Sequence, residues 1–137
     1  MQLRTVLKID LGEVDFSEMT DGEGTSGTYD FADKLPAGFL PIAAKTQTME
    51  AFVGQTAAGA ELGTSGDPNA FISTKNVLAL GKINATPGGD IDVALDADTV
   101  VRLTVTGNAD FSALTAGKLA CSLYCIDMNE PVTVVTN

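Results

Sequence analysis

Leu3, Thr5, Leu7, Ile9 and Leu11 stand at odd positions and Arg4, Lys8 and Asp10 at even ones, with Val6 the one exception. This is the period-two pattern of a half-buried strand, and it predicts one over residues 2–11. Over residues 12–27 the alternation dissolves into Glu13, Asp15, Glu18, Asp21 and Glu23 among glycines and serines, with no Lys or Arg, which predicts an acidic loop. A short strand is expected over 28–31, then a Leu35-Pro36-Ala37-Gly38 turn, then a long extended stretch over 39–53. Within that stretch Thr46, Gln47, Thr48 and Glu50 suggest partial exposure. Residues 54–58 break the stretch, 60–62 form a short strand, and 63–69 are a run of turn formers.

Further strand material is expected at Phe71-Ile72 and over 76–83, with a turn at Pro87-Gly88-Gly89-Asp90. Ile91, Val93 and Leu95 then alternate with Asp92, Ala94 and Asp96. Residues 99–106 are the densest β-branched run, and Val101, Leu103 and Val105 are expected to face the core. A single helical turn fits around 110–114, Leu114-Thr115-Ala116-Gly117 is a turn, and strands follow over 119–126 and 131–135. About eight short antiparallel strands, with turn signals every 8 to 15 residues, describe an all-β fold: a jelly-roll-like β-sandwich in a single domain over residues 1–137. One echo runs through it. Residues 31–40 and 111–119 each read as a Phe, an Ala-Gly turn and a Leu opening a long strand, either a common turn used twice or two related halves of a sandwich.

Composition narrows the chemistry. Hydrophobic residues make up 45% of the chain but aromatics only 6%, with no Trp, so the core must be built from Val, Leu, Ile and Ala with six Phe. A formal charge of −10 repels a phosphate backbone, which argues against nucleic acid as a partner. No apolar run approaches the roughly 20 residues of a membrane helix. The first residues lack the basic and apolar blocks of a secretion signal, so synthesis in a cytosol is expected. Cys121 and Cys125, if on one strand, lie about 13 Å apart at ~3.3 Å per residue, too far for a disulfide that needs Cα atoms within about 7 Å. Two buried, reduced thiols are expected.

Catalysis finds little to work with. The chain has no His, which removes the commonest general base and metal ligand along with every Ser-His or Cys-His pair. Two Cys cannot fill a tetrahedral zinc site. No Gly-x-Gly-x-x-Gly sits between a strand and a helix, and no phosphate-binding Gly-Lys-Ser/Thr loop occurs. Asp90 with Asp92 and Asp96 with Asp98 have a calcium-like Asp-x-Asp spacing without the rest of a calcium loop, and are expected to be solvated loop edges. Paired carboxylates could serve glycoside hydrolysis, but a chain with two Tyr and no Trp is poorly equipped to build a sugar platform. Neither an enzyme activity nor a cofactor or metal is expected. The acids between Glu13 and Asp33 read as a self-repelling loop, or as an arm that meets a basic groove on a partner.

The Leu-Pro-Ala-Gly turn, the Thr-rich strand after it, the loop from Leu62 to Asp67, and the two segments 101–106 and 114–119 resemble those of small jelly-roll cement or decoration proteins of tailed bacteriophage capsids, over roughly residues 30–127. The resemblance implies a structural virion protein on the capsid exterior, stabilising the head by bridging major capsid proteins. A head-fibre, tail or receptor-binding module holding host sugars is the alternative. As partner-binding positions we expect the first strand with its acidic extension and the chain's tail, through Leu3, Thr5, Leu7, Glu13, Asp15, Val132 and Val134. A homo-oligomer, dimer or trimer, is expected.

Overall fold

Alternating apolar positions and abundant β-branched residues favour extended chain, and the folded protein arranges it as two antiparallel sheets. The computed structural model describes residues 6–78, 83–86 and 94–129. Among these the strands are β1 (Leu7–Asp15), β2 (Thr20–Asp21), β3 (Ser26–Asp30), β4 (Phe39–Val53), β5 (Ala58–Gly63), β6 (Ile72–Asn76), β7 (Ile83–Thr86), β8 (Arg102–Gly107) and β9 (Ala116–Asp127). Single 3-10 turns lie at Phe16–Glu18 and Phe111–Ala113. The first sheet runs β1-β9-β4-β7 and the second β2-β3-β8-β5-β6.

The pairing follows a simple rule. β1 pairs with β9, β3 with β8, β4 with β7 and β5 with β6, so the first half of the chain lies antiparallel on the second, outermost strand against outermost. Rolling that ribbon brings β9 against β4 in one sheet and β8 against β5 in the other. This is the jelly roll, with β2 a two-residue appendage on β3. Setting β2 aside leaves eight strands among the described residues, in line with the number of about eight expected from the turn spacing.

The core lies between the inner faces. Val101, Leu103 and Val105 are fully buried, as their odd spacing predicts, and share one core cluster with Phe31, Phe52, Phe111 and the row Leu119, Cys121, Leu123 and Cys125 of β9. Gly27 sits on the inner face opposite Val105, and a Cβ there would run into the ring of Phe111, so the missing side chain is what admits the ring. The echo between 31–40 and 111–119 has a structural counterpart. Phe31 and Leu35, like Phe111 and Leu114, are buried, and each pair is followed by a glycine of positive φ, Gly38 at 85° and Gly117 at 151°. Those two segments deliver the chain into β4 and β9, the adjacent central strands of the first sheet.

Several expectations change. The acidic loop expected over 12–27 is largely built: Gly12 to Asp15 complete β1, a 3-10 turn follows, and β2 and the start of β3 flank the short stretch 22–25 that remains a loop. A bulge conceals this. Asp10 is opposite Ser122 and Gly12 opposite Cys121, leaving Leu11 as an extra residue, with Gly12 at φ 93° and its N–H donated to Asp10 Oδ1 at 2.9 Å. Beyond the bulge the core-facing parity flips from Ile9 to Val14. Thr46 and Thr48 are not partly exposed but 0% and 1% accessible, because they fall on the same inward parity as Ala44 in a strand flanked by β9 and β7. Of the strand expected over 76–83, Asn76 is the last residue of β6, Val77 and Leu78 leave the sheet, 79–82 lie outside the described residues and Ile83 opens β7. The turn at 87–90, Ile91 to Val93 and the strand at 131–135 lie outside the described residues.

Candidate functional site

The first sheet ends in β1, which among the described residues pairs with β9 alone. The matching flank of the second sheet is only partly covered, since β2 reaches Gly27 and Thr28 of β3 and no further. Between these flanks opens a cavity of about 160 Å³ lined by Ile9, Asp10, Leu11, Tyr29, Phe31, Ala32 and Asp33. Tyr29 and Phe31 meet edge to face at 5.2 Å between ring centroids, an arrangement that fixes both rings beside the gap.

Of the expected partner-binding residues, Leu3, Thr5, Val132 and Val134 lie outside the described residues. Leu7 stands opposite Cys125 and is 36% exposed, flanked by Val6 at 48%. Glu13 is opposite Ala120, on the outer face of the sheet, and exposed. Asp15 is opposite Lys118 and is engaged locally. Its carboxylate accepts Ser17 N–H at 3.0 Å and Ser17 Oγ–H at 2.8 Å, while Glu18 Oε1 accepts the Asp15 N–H at 3.1 Å. This capping box closes the 3-10 turn. The Ser17 hydrogen bonds, with help from Lys118, hold the Asp15 carboxyl below its ordinary pKa. Leu7 and Glu13 therefore share one strand with Asp15, but on different faces. Tyr29, Phe31 and Asp33, which close the cavity, were not among the expected residues, and no local pattern marks them, because β1, which lies across the gap in the other sheet, is met only through the roll of the ribbon.

The outer faces differ in chemistry. On the first sheet Lys8, Lys45 and Lys118 are interspersed with Asp10, Glu13 and Glu50, and the half-buried pairs Leu40 with Ile126 and Ala43 with Tyr124 lie toward one end. On the second sheet Thr20, Thr28 and Thr104 form one row with Glu61, and Ser26 and Thr106 another, their hydroxyls 2.8 Å apart. Arg102 closes that face with two bonds to Asp30, Nε to Oδ1 at 2.6 Å and Nη2 to Oδ2 at 3.0 Å. The guanidinium lowers the Asp30 pKa, and Asp30 in turn raises that of Arg102.

The remaining chemical candidates resolve into structural roles. Both thiols are free and buried. Burial, reinforced by the Asp10 charge, pushes Cys121 up to about 12, and burial alone pushes Cys125, nearer the sheet's open end, to about 11. Neither is ionised at neutral pH. Asp98 accepts the Ala37 N–H at 3.0 Å and so pins the turn that leads into β4. Asp90 and Asp92 lie outside the described residues. Among the described residues no three of Cys, Asp and Glu gather as metal ligands would. A second, more open cavity of about 320 Å³ runs between Thr64, Asp67, Ala70 and Phe71 on one side and Ala94 to Asp96 on the other.

No protein family matches the chain, and no curated protein does. Solved structures do. A chain of the cyanophage Pam1 capsid asymmetric unit superposes with a TM-score of 0.65 at 17% identity, covering 90% of this chain and 85% of that one. A chain of the capsid of Ralstonia phage GP4 is similar at a TM-score of 0.49 and 15% identity, covering 81% of this chain and 88% of the other. At such identities the likeness to the Pam1 chain is one of fold: this protein shares an all-β, two-sheet architecture with a component of a phage capsid.

Proposed function

We propose that the protein is a structural component of a phage virion that docks on the outside of the head and bridges neighbouring major capsid proteins, as a dimer or trimer. The observation that carries this reading is the nested-ribbon fold shared over 90% of the chain with a chain of the Pam1 capsid asymmetric unit. The chemistry agrees. A surface with a formal charge of −10 is repelled by packaged DNA, and the mixed-charge outer face of the first sheet and the flank of β1, unpaired among the described residues, give area for protein contacts. Such a protein acts through multivalency, since weak contacts repeated on a lattice hold firmly where a single contact does not.

Sedimentation of the purified protein with expanded heads assembled without it tests the reading. Saturable co-sedimentation at fixed stoichiometry, with no binding to unassembled capsid subunits, is the expected result. Absence of binding at every salt concentration would overturn the capsid role in favour of a head-fibre, tail or receptor-binding module.

A further inference from the structure

We infer that the seam between β1 and β3 receives an extended, Lys- or Arg-bearing segment of a partner protein, which adds along the outer edge of β1 and lodges one cationic side chain in the adjoining cavity. The inference deepens the capsid-binding reading and rests on it only for the partner's identity.

Three independent features converge on this seam. Among the described residues β1 is an edge strand over Leu7–Asp15, and an edge strand offers backbone donors and acceptors to an incoming strand. Beside it, the 160 Å³ cavity joins apolar walls, Ile9, Leu11, Tyr29 and Phe31, to the exposed acid Asp33, with Asp10, whose carboxylate accepts the Gly12 N–H at 2.9 Å, also on its lining. Lys and Arg suit such a place, because their stems pack on apolar surface while their heads seek charge, and the rings attract a nearby cation. Finally, residues 9–33 hold eight acids and no Lys or Arg. Arg102 answers Asp30, and Lys118 stands across from Asp15; the rest of the segment carries a field that favours a basic partner.

Charge also argues against a second copy of this chain as the occupant, since β1 carries Asp10, Glu13 and Asp15 against Lys8 alone. Edge-to-edge pairing of β1 with itself would bring two acidic strands together, a device by which natural sheets block self-association. The bulge at Leu11 further makes the edge a poor template for an arbitrary flat strand. Specificity therefore comes from charge and from the one side chain placed in the gap.

The test titrates the full-length protein, observed by amide NMR, with two synthetic ten-residue peptides, one alternating Thr with Lys and one alternating Thr with Glu. The lysine peptide is expected to shift amides of β1 and of residues 29–33, and the glutamate peptide none. Glu13→Lys combined with Asp33→Lys, both at exposed positions, is expected to weaken lysine-peptide binding at least tenfold while leaving the spectrum dispersed. Shifts spread over acidic surface elsewhere, or equal binding by the double variant, would overturn the inference. Head sedimentation separates the two readings. If wild type and double variant sediment equally with heads, the seam is not the contact and the capsid role stands; if wild type does not sediment, the capsid role falls and the peptide titration alone decides the seam.

Discussion

The inner faces of the two sheets are equally dry and differently built. The second sheet turns Ala60, Leu62, Leu103 and Val105 inward, a wholly apolar surface, whereas the first turns Ala44, Thr46, Thr48, Leu119, Cys121, Leu123 and Cys125 inward, mixing hydroxyls and thiols into the same core. No hydrogen-bond partner meets the Thr46 and Thr48 hydroxyls among the described residues. A buried hydroxyl without a partner costs stability, so the first sheet is held by its long pairing of β4 with β9 and not by the quality of its interior. The lesson is that burial alone does not measure what a face contributes.

The thiols offer the largest contrast. A pKa raised from 9.0 to about 12 leaves Cys121 with on the order of a thousandfold less thiolate at neutral pH, so alkylation in the native protein is expected to lag the unfolded chain by at least that factor. Equal rates would mean that the first sheet opens readily. Leu103→Ala, in the apolar face, is expected to lose about 2 to 5 kcal/mol in denaturant unfolding, and Cys121→Ala a smaller amount. Gly27→Val places a side chain into the Phe111 ring and is expected to lose about 1 to 3 kcal/mol, with Phe111→Ala partly relieving it in the double variant.

Thr46→Val removes the orphaned hydroxyl at nearly constant shape and is expected to gain about 1 kcal/mol, roughly 4 °C in melting temperature. A loss instead would show that the hydroxyl has a partner in solution. The smallest effect is on acid stability. Asp15 and Asp30 titrate below the ordinary 3.8 when folded, so their contribution is complete above that value and is lost as pH falls through their lowered folded values. Because the Arg102 pair is exposed and screened, Asp30→Asn should cost only about 0.5 kcal/mol at pH 7 and flatten the acid limb of a stability profile.

Local pattern was readable where strand-forming residues ran on without glycine or a cluster of acids, even across the three register shifts of β4. The stretch over 39–53 is β4 as expected, and Val101, Leu103 and Val105 face inward as their spacing predicts. Reading failed where one residue reset the phase: the Leu11 bulge turned the second half of β1 into an apparent loop. It also failed where residue type and parity disagreed, as at Thr46 and Thr48, whose polarity suggested a surface that their strand position denies them. The candidate site was half legible. Leu7 and Glu13 lie on the strand that borders the cavity, but Tyr29, Phe31 and Asp33 approach it only through folding.

The sequence by itself determined the class of fold, the strand-forming segments, the acidic character of residues 9–33 and the poverty of catalytic groups, because each follows from side-chain chemistry or from a period of two. Tertiary structure alone decided that β1 lies on β9 and β3 on β8, that two stretches of different parity share one core, and that a gap opens between two strand flanks. Alternation tells a residue which face it occupies but not which strand lies beside it. That choice belongs to contacts between residues as far apart in the chain as Leu7 and Cys125, which no local pattern records.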